Sequence, residues 1–193
     1  MSKSKKNVVD PSDIIDLYGA DTARWFMLSD SPPERDLQWT ETGIAASYKF
    51  INKLYDLIDK FFNYKSNNMK DSGGVIENLK QITNQVSENI EQFQFNKSVA
   101  KIYEFVNILN EALNNSRLSK QDFEWSLKKL SIILQPFVPH ISEEIWSSLG
   151  NSSLCIDEIW NKENIKKKNK LKIAIQINGK TKDVIVVDEE MSE

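Results

Sequence analysis

Cysteine and histidine are almost absent from this chain of 193 residues, which contains one of each, Cys155 and His140. A single cysteine excludes an internal disulfide and any zinc site that needs several cysteines. With a single histidine, no His/Cys metal cluster can form either, and we expect no metal site. No apolar run approaches the length that a membrane span requires, so we expect no membrane contact. A cytoplasmic location is also expected.

The charge is nearly balanced, with a formal net charge of −3, which does not by itself indicate a nucleic-acid-binding protein. Net charge hides distribution, however, and the lysines are clustered at two places. The first cluster is Lys3, Lys5 and Lys6, and the second is Lys162, Lys166, Lys167, Lys168, Lys170 and Lys172. Taken alone, such clusters are typical of solvated surface segments.

The N-terminal third is predicted to form two short helices and a long one. Asp10 followed by Pro11 is a typical helix start, and Gly19 predicts the end of that helix. A second helix is expected over residues 20–28, followed by an extended connector at residues 34–39 and a long helix that begins after Thr40. Its apolar stripe is predicted to be Ile44, Tyr48, Ile51, Tyr55, Ile58 and Phe62.

The middle of the chain shows helical spacing of apolar residues in three further segments, at residues 75–90, 99–113 and 123–134. A loop is expected at residues 65–74, and Ser119 is expected to cap the third of these segments. Pro136 and Pro139 interrupt the pattern before a last helix. Amphipathic helices joined by short polar loops predict a mainly α fold, a helical bundle.

The C-terminal residues alternate as in a β-strand from Leu171 to Ile177, and Asn178-Gly179 predicts a hairpin turn. One hairpin is not stable alone in water, so we interpret it as the opening of a further α+β domain that the chain does not complete. The expected domains are the following: residues 1–40 a loop with connecting helices, 41–150 the bundle, 151–169 a basic linker, and 170–193 the start of the C-terminal domain.

The first residues, Met1-Ser2-Lys3-Ser4-Lys5, resemble the KMSKS signature loop of class I aminoacyl-tRNA synthetases without its first lysine. The motifs Asn7-Val8-Val9-Asp10-Pro11 and Tyr18-Gly19-Ala20-Asp21-x-x-Arg24 then resemble the leucyl, isoleucyl and valyl enzymes. The segment Pro32-Pro33-Glu34-x-Asp36-Leu37-x-Trp39 narrows the resemblance to the bacterial leucyl-tRNA synthetases.

Two later segments agree with this family. Residues 134–146, with Gln135-Pro136-Phe137-Val138-Pro139-His140, resemble the last bundle helix of the synthetase anticodon-binding domain. Ile175-Gln176-Ile177-Asn178-Gly179-Lys180 resembles the opening strand of the small C-terminal domain of leucyl enzymes. The remaining alternatives are an isoleucyl or valyl synthetase and a non-catalytic helical RNA-binding module.

The resemblance implies the site residues and the partners. Lys3 is the expected catalytic residue, and it would contact the phosphates of ATP together with Ser2 and Ser4. Leucine, tRNA(Leu) and ATP with Mg²⁺ are the expected substrates. The second cluster (Lys162, Lys166, Lys167, Lys168, Lys170 and Lys172) is the expected tRNA contact. A nucleotide-binding fold would precede Met1, so we expect this chain to be an inactive part of the enzyme. The enzyme is expected to be a monomer.

Several other residues carry structural expectations. Arg24 is expected to connect the helices after the loop to the bundle, and His140 to orient a helix start. Glu143 and Glu144 are interpreted as first-turn acidic residues that the helix dipole stabilises. Core packing, rather than base stacking, is expected for the five tryptophans, Trp25, Trp39, Trp125, Trp146 and Trp160.

Overall fold

The computed structural model describes residues 9–30, 32–65, 72–164, 170–177 and 180–188, the last two ranges by their backbone alone. The chain divides into two compact units, Met1–Glu163 and Asn164–Glu193. Seven α-helices lie in the described ranges: α1 Pro11–Tyr18, α2 Ala20–Asp30, α3 Glu41–Asn63, α4 Ser72–Glu91, α5 Phe95–Asn114, α6 Lys120–Leu134 and α7 Pro139–Ser148. None of the helices described is long and apolar enough to cross a membrane.

The predicted ends of α1 are confirmed. Asp10 Oδ1 accepts a hydrogen bond from the Ser12 amide at 2.9 Å, and Pro11 occupies the first helical position, where its missing N–H costs nothing. Gly19, with a φ of 85°, ends the helix in a conformation that favours glycine. The second helix follows at once and continues beyond the predicted Leu28 to Asp30.

The predicted apolar stripe of α3 is wrong at three positions. Tyr48, Tyr55 and Phe62 are 42%, 46% and 62% exposed. The buried face of α3 is instead Ile44, Ser47, Phe50, Ile51, Leu54, Leu57 and Phe61. Both series have helical spacing, so periodicity alone could not separate them. The observed series buries Phe50, Leu54, Leu57 and Phe61, whose apolar side chains gain from removal from water.

Helices α3 to α7 form the bundle, and its core confirms most of the predicted apolar positions. Helix α4 packs against α5 and α6, while α7 packs against α6 and α3. Ser119 caps α6 as predicted, because its Oγ accepts from the Asp122 amide at 3.0 Å. The predicted loop is wrong at its end, since α4 begins at Ser72 and includes both following glycines.

Helix α2 contributes to two separate hydrophobic cores through neighbouring residues. Trp25 is fully buried in the bundle core, where it stacks on Phe50 with ring centroids 4.6 Å apart. Phe26 belongs to a small second core with Ile14 and Ile44. The helix therefore has one face in the bundle and another against α1.

The second unit contains two antiparallel strands, β1 Lys170–Ile177 and β2 Lys180–Asp188. Leu171 is paired with Val187, and the register shifts once, between Ile175 and Gln176. The Asn178-Gly179 turn predicted from the sequence lies outside the described residues.

Candidate functional site

The predicted site residues are only partly within the described structure. Ser2, Lys3 and Ser4 lie outside it, as do Lys166, Lys167 and Lys168. Lys170 and Lys172 are on β1, of which the backbone is described. Lys162 is described, and its exposed ammonium group lies 3.5 Å from Glu91 Oε1. The described residues next to the predicted site are the helices that follow the N-terminal loop and the segment that precedes the second lysine cluster.

Arg24 of α2 holds the turn between α6 and α7. Its Nε donates to the Phe137 carbonyl at 3.0 Å, and its Nη2 donates to the Pro136 carbonyl at 2.9 Å. These carbonyls follow the last turn of α6. A planar guanidinium can satisfy two adjacent acceptors with fixed geometry, which the single ammonium group of lysine cannot reproduce. The predicted role of Arg24 as a connection between the first helices and the bundle is confirmed.

Asp21, one turn before Arg24 on α2, caps the start of α7. Its Oδ2 accepts from the Ile141 amide at 2.8 Å, and its Oδ1 lies 2.8 Å from Nδ1 of His140. Val138, the residue at the cap position of α7, makes no side-chain capping bond. Asp21 therefore supplies from another helix the acceptor that the first amides of α7 need.

Asp21 and Arg24 are together called the α2 clamp below. The clamp joins two segments that are 112 to 120 residues apart in sequence. Both segments carry motifs of the synthetase resemblance, residues 18–24 and residues 134–146. The expected role of His140 is confirmed, because the histidine pairs with the carboxylate that caps its own helix.

The small second core attaches α1 to α2 and α3. Phe26 clusters with Ile14 and Ile44, and its ring meets that of Trp39 edge to face at a centroid distance of 5.0 Å. A Cβ atom added at Gly43 would lie 2.5 Å from Phe26 Cε2. Glycine at this position therefore permits the close approach of α2 and α3.

Glu143 has a specific role that the sequence reasoning missed. Helix α7 begins at Pro139, so Glu143 and Glu144 lie beyond the first turn, and the predicted first-turn role of both is wrong. Its two carboxylate oxygens accept from the amides of Cys155 at 2.8 Å and Ile156 at 3.1 Å. Gln135 donates to the same carboxylate at 2.7 Å. Glu143 thus fixes the short 3-10 turn Cys155–Asp157 against the bundle.

The segment that leads to the second lysine cluster is attached to the bundle as far as Glu163. Asn84 exchanges two hydrogen bonds with the backbone of Glu163, at 2.9 and 2.8 Å. Trp160 Nε1 donates to Ser87 Oγ at 2.7 Å. The side chain of Glu163 forms an ion pair with Lys129 at 2.5 Å. These contacts hold the chain against the bundle as far as Glu163.

The predicted core packing is confirmed for the two most buried tryptophans. Trp25 is fully buried, and Trp146 is 6% exposed, with its Nε1 donating to the Ser153 carbonyl at 3.0 Å. Trp39, Trp125 and Trp160 are half-buried. Trp160 lines an open cavity of ≈ 250 Å³ together with Ile90, Pro136 and Lys162.

Burial changes the pKa values of two side chains in the first unit. It raises the pKa of Tyr55, and the nearby carboxylates of Glu144 and Asp21 raise it further. Burial also raises the pKa of the Cys155 thiol, against the opposing effect of a hydrogen bond from Ser142.

The α2 clamp uses its charged atoms in internal hydrogen bonds. Its geometry suits positioning of helices rather than bond-making chemistry.

Two family models match the chain. The model described as the anticodon-binding domain of tRNA ligase matches residues 74–192. The model described as tRNA synthetases class I (I, L, M and V) matches residues 1–40. Residues 41–73, between the two matches, include α3 and the first two residues of α4.

Known relatives agree with the resemblance to leucyl-tRNA synthetases. The leucine–tRNA ligase of Cereibacter sphaeroides is 37% identical over the whole chain, and that of Paramagnetospirillum magneticum is 40% identical over 96% of it. The chain spans 22% of the length of each relative. These names favour the leucyl resemblance over the isoleucyl and valyl alternatives.

Solved structures show the same architecture. The chain superposes with a TM-score of 0.84 and 28% identity on a ternary complex of LeuRS, tRNA and LeuAMS from Agrobacterium radiobacter, covering 100% of this chain and 26% of that one. Methionyl-tRNA synthetase of Mycobacterium tuberculosis shares the fold at a TM-score of 0.64 and 16% identity, over 76% of this chain and 35% of its own. The chain belongs to the anticodon-binding domain family of tRNA ligases.

Proposed function

We propose that this chain is the part of a leucyl-tRNA synthetase that docks tRNA(Leu) and carries the lysine of the ATP-binding loop. One observation carries the proposal, namely the match to leucine–tRNA ligases over the full chain at 37% identity. The match to the LeuRS structure solved with tRNA supports it. The helical bundle would supply the docking surface, and residues 1–40 would supply the loop and its support.

The reaction proposed for the whole enzyme has two steps. A carboxylate oxygen of leucine attacks the α-phosphorus of ATP, the bond to the bridging oxygen breaks, and pyrophosphate leaves with those electrons. A ribose hydroxyl of the terminal adenosine of tRNA then attacks the leucyl carbonyl, loses its proton and displaces AMP. ATP enters as its Mg²⁺ complex, and both are substrates rather than resident groups of this chain.

Lys3 is proposed to act in the first step, with Ser2 and Ser4 as supporting contacts to ATP. Negative charge grows on the leaving pyrophosphate, so an ammonium group beside it stabilises the transition state more than it stabilises bound ATP. A preorganised charge of this kind is typically worth roughly 3 kcal/mol. Lysine is suitable because it provides a mobile point charge for phosphate oxygens.

The test is a chimera in which this chain replaces the matching region of the Cereibacter sphaeroides enzyme. We expect it to charge tRNA(Leu) with leucine. Lys3→Ala should lower leucine-dependent pyrophosphate exchange by at least about tenfold. Lys101→Ala is the matched control, because among the residues that the structure describes Lys101 pairs with Glu104 on the surface of α5. An unchanged exchange rate in the Lys3 variant would contradict the catalytic role.

The second lysine cluster is proposed as a phosphate contact for tRNA. The concentration of six lysines within residues 162–172 supports this, and Lys162, which the structure describes, is exposed. Replacing Lys166, Lys167 and Lys168 by glutamine should flatten the dependence of tRNA affinity on salt, by up to about 0.9 in log–log slope for each lysine that binds a phosphate. A Lys101→Gln and Lys128→Gln variant is the control, and an equal flattening there would indicate a general charge effect.

The domain organisation is part of the same proposal. Residues 41–150 would be the docking bundle, 151–169 a linker, and 170–193 the opening strands of an α+β domain. Such a domain would cover the hairpin, which two strands alone cannot stabilise in water. We further propose that the enzyme is monomeric and works in the cytoplasm. Sedimentation of the chimera tests the first of these statements.

A further inference from the structure

We propose that the open cavity beside Trp160 is a stacking site for one unpaired base of tRNA, with Lys162 at its rim as the contact for a phosphate of that nucleotide. The inference rests on the proposed docking of tRNA, and it names a place on the bundle where a nucleotide binds. It assigns to Trp160 a role in binding, in contrast to the core packing expected for it from the sequence.

The cavity is small and mostly apolar. Its walls include the side chains of Ile90, Pro136 and Trp160, and its volume is ≈ 250 Å³. Pockets that hold drug-sized molecules are usually larger, roughly 300–1,000 Å³. This cavity therefore suits one planar ring system whose sugar and phosphate stay outside. Every base has a π-face, so stacking on an indole does not require one particular base.

Trp160 is fixed in place by the bundle without any ligand. Its Nε1 donates to Ser87 Oγ at 2.7 Å, and its side chain packs against the bundle core. Close by in the sequence, Asn84 holds the backbone of Glu163 through two hydrogen bonds. The indole is nevertheless only half-buried, and it lines the open cavity. A ring held in this way loses little conformational freedom when a base stacks on it.

The rim of the cavity carries a weak ion pair. Lys162 Nζ lies 3.5 Å from Glu91 Oε1, and the two side chains are 62% and 65% exposed. An exposed pair contributes little to stability, so Lys162 can turn to a phosphate at little cost. An apolar protein segment seated on the cavity would remove water from this pair, which is unfavourable. A nucleotide would instead bring a phosphate to the ammonium group, so the charges favour RNA as the occupant.

The first experiment measures the affinity of the 193-residue chain for tRNA(Leu) at about 50 mM salt. Trp160→Ala should weaken binding roughly five- to 100-fold, the usual loss when a stacked base loses its aromatic partner. Trp160→Phe should stay within about threefold, since it loses the same hydrogen bond to Ser87 but keeps a ring. Trp125→Ala is the matched control, because Trp125 is also half-buried against the bundle core but does not line the cavity.

Two substitutions at the rim should act in opposite directions. Lys162→Gln should weaken binding and flatten its log–log dependence on salt by up to about 0.7, the value for one phosphate of a single strand. Glu91→Gln should tighten binding by about twofold, because it removes the carboxylate that competes for the ammonium group. Lys101→Gln and Glu104→Gln, which alter an exposed ion pair on α5, are the controls. Equal changes in the two pairs would show a general charge effect and contradict the phosphate contact.

A second measurement does not depend on tRNA. A single-stranded RNA of about ten nucleotides should quench the fluorescence of Trp160, whereas a blunt duplex of the same length should not, because its bases are already paired and stacked. The quenching should be missing in Trp160→Phe, in which the responding indole is gone. Thermal melting of every variant ensures that the assay temperature lies below its unfolding transition.

The outcomes separate the inference from the proposed function. If the chain binds tRNA(Leu) and Trp160→Ala has no effect, or no more effect than Trp125→Ala, the inference is overturned and the cavity is open to a protein contact. A lack of quenching by the single-stranded RNA would also overturn it. A wild-type chain that does not bind tRNA(Leu) would instead overturn the proposed docking, and the quenching measurement would still decide whether the cavity takes a base.

Discussion

The two hydrophobic cores of the first unit differ in how they are built. The bundle core draws buried side chains from α2 to α7 and includes aromatic stacking around Trp25. The small core has three buried residues, Ile14, Phe26 and Ile44, and the polar α2 clamp lies near it. Redundant apolar packing gives stability, whereas a few specific contacts give a defined position. Substitutions in the bundle core should therefore affect global unfolding, whereas substitutions in the small core or the α2 clamp should act locally.

The largest expected effect is that of Trp25→Ala. It would leave a cavity beside Phe50 and Phe137 and remove the hydrogen bond from Trp25 Nε1 to Tyr103 Oη. The free energy of unfolding should fall by about 3–5 kcal/mol, measured by urea denaturation. Phe62→Ala, at an exposed site on α3, is the control and should change it by less than about 0.5 kcal/mol. A small loss at Trp25 would mean that the bundle core does not depend on α2.

Gly43→Ala tests the close approach at the small core. The new methyl group would overlap the ring of Phe26, and such overpacking typically costs about 1–3 kcal/mol. The gain in helix propensity from alanine offsets part of this cost. Native-state hydrogen exchange should show faster exchange in α1, with little change for the amides of Ile102 and Val106. Equal acceleration in both places would remove the distinction between the two cores.

Asp21→Ala should cost somewhat less, about 1–2 kcal/mol, which is the usual range for a lost helix cap. The amide of Ile141 should lose its protection against hydrogen exchange, because Val138, at the cap position of α7, makes no side-chain capping bond. Asp21→Asn keeps an acceptor for that amide and is the matched comparison. If alanine and asparagine behave alike, the capping interaction does not contribute to stability.

The smallest effect concerns pH and lies in the bundle. Burial raises the pKa of both Tyr103 and the Cys155 thiol above their ordinary values. The folded state therefore holds these protons more tightly than the unfolded state does. The resulting stability is present below the unfolded pKa values and is lost as pH rises through the folded ones, from about 8 upward. Urea midpoints measured at increasing pH should fall, and Cys155→Ala with Tyr103→Phe should flatten the decline.

Local signals in the sequence predicted local structure well. Asp10, Gly19 and Ser119 act at helix ends as expected, because capping depends on residues only a few positions apart. Contacts between residues that are distant in the sequence were harder to predict. The predicted stripe of α3 included Tyr48 and Tyr55, since spacing cannot reveal which of two adjacent stripes faces the other helices. The prediction for the loop lysines and for the second lysine cluster stays a prediction.

The clamp shows the same limit more sharply. A connection of the first helices to the bundle through Arg24 was expected, but the partners of Asp21 and Glu143 could not be anticipated. Asp21 caps a helix that begins 118 residues after it. Glu143 accepts hydrogen bonds from the amides of a turn that follows its own helix. Such contacts form only when the tertiary structure brings separate elements together, and no local pattern records them.

The most direct test of the central claim is the binding of this 193-residue chain to tRNA(Leu), with tRNA(Val) as the control, at about 50 mM and about 200 mM salt. We predict measurable binding at the lower salt concentration that weakens steeply at the higher one, as expected for phosphate contacts. A preference for tRNA(Leu) would place part of the discrimination in the bundle itself. No binding to either tRNA at the lower concentration would contradict the claim that the bundle and the second lysine cluster form a tRNA-docking surface.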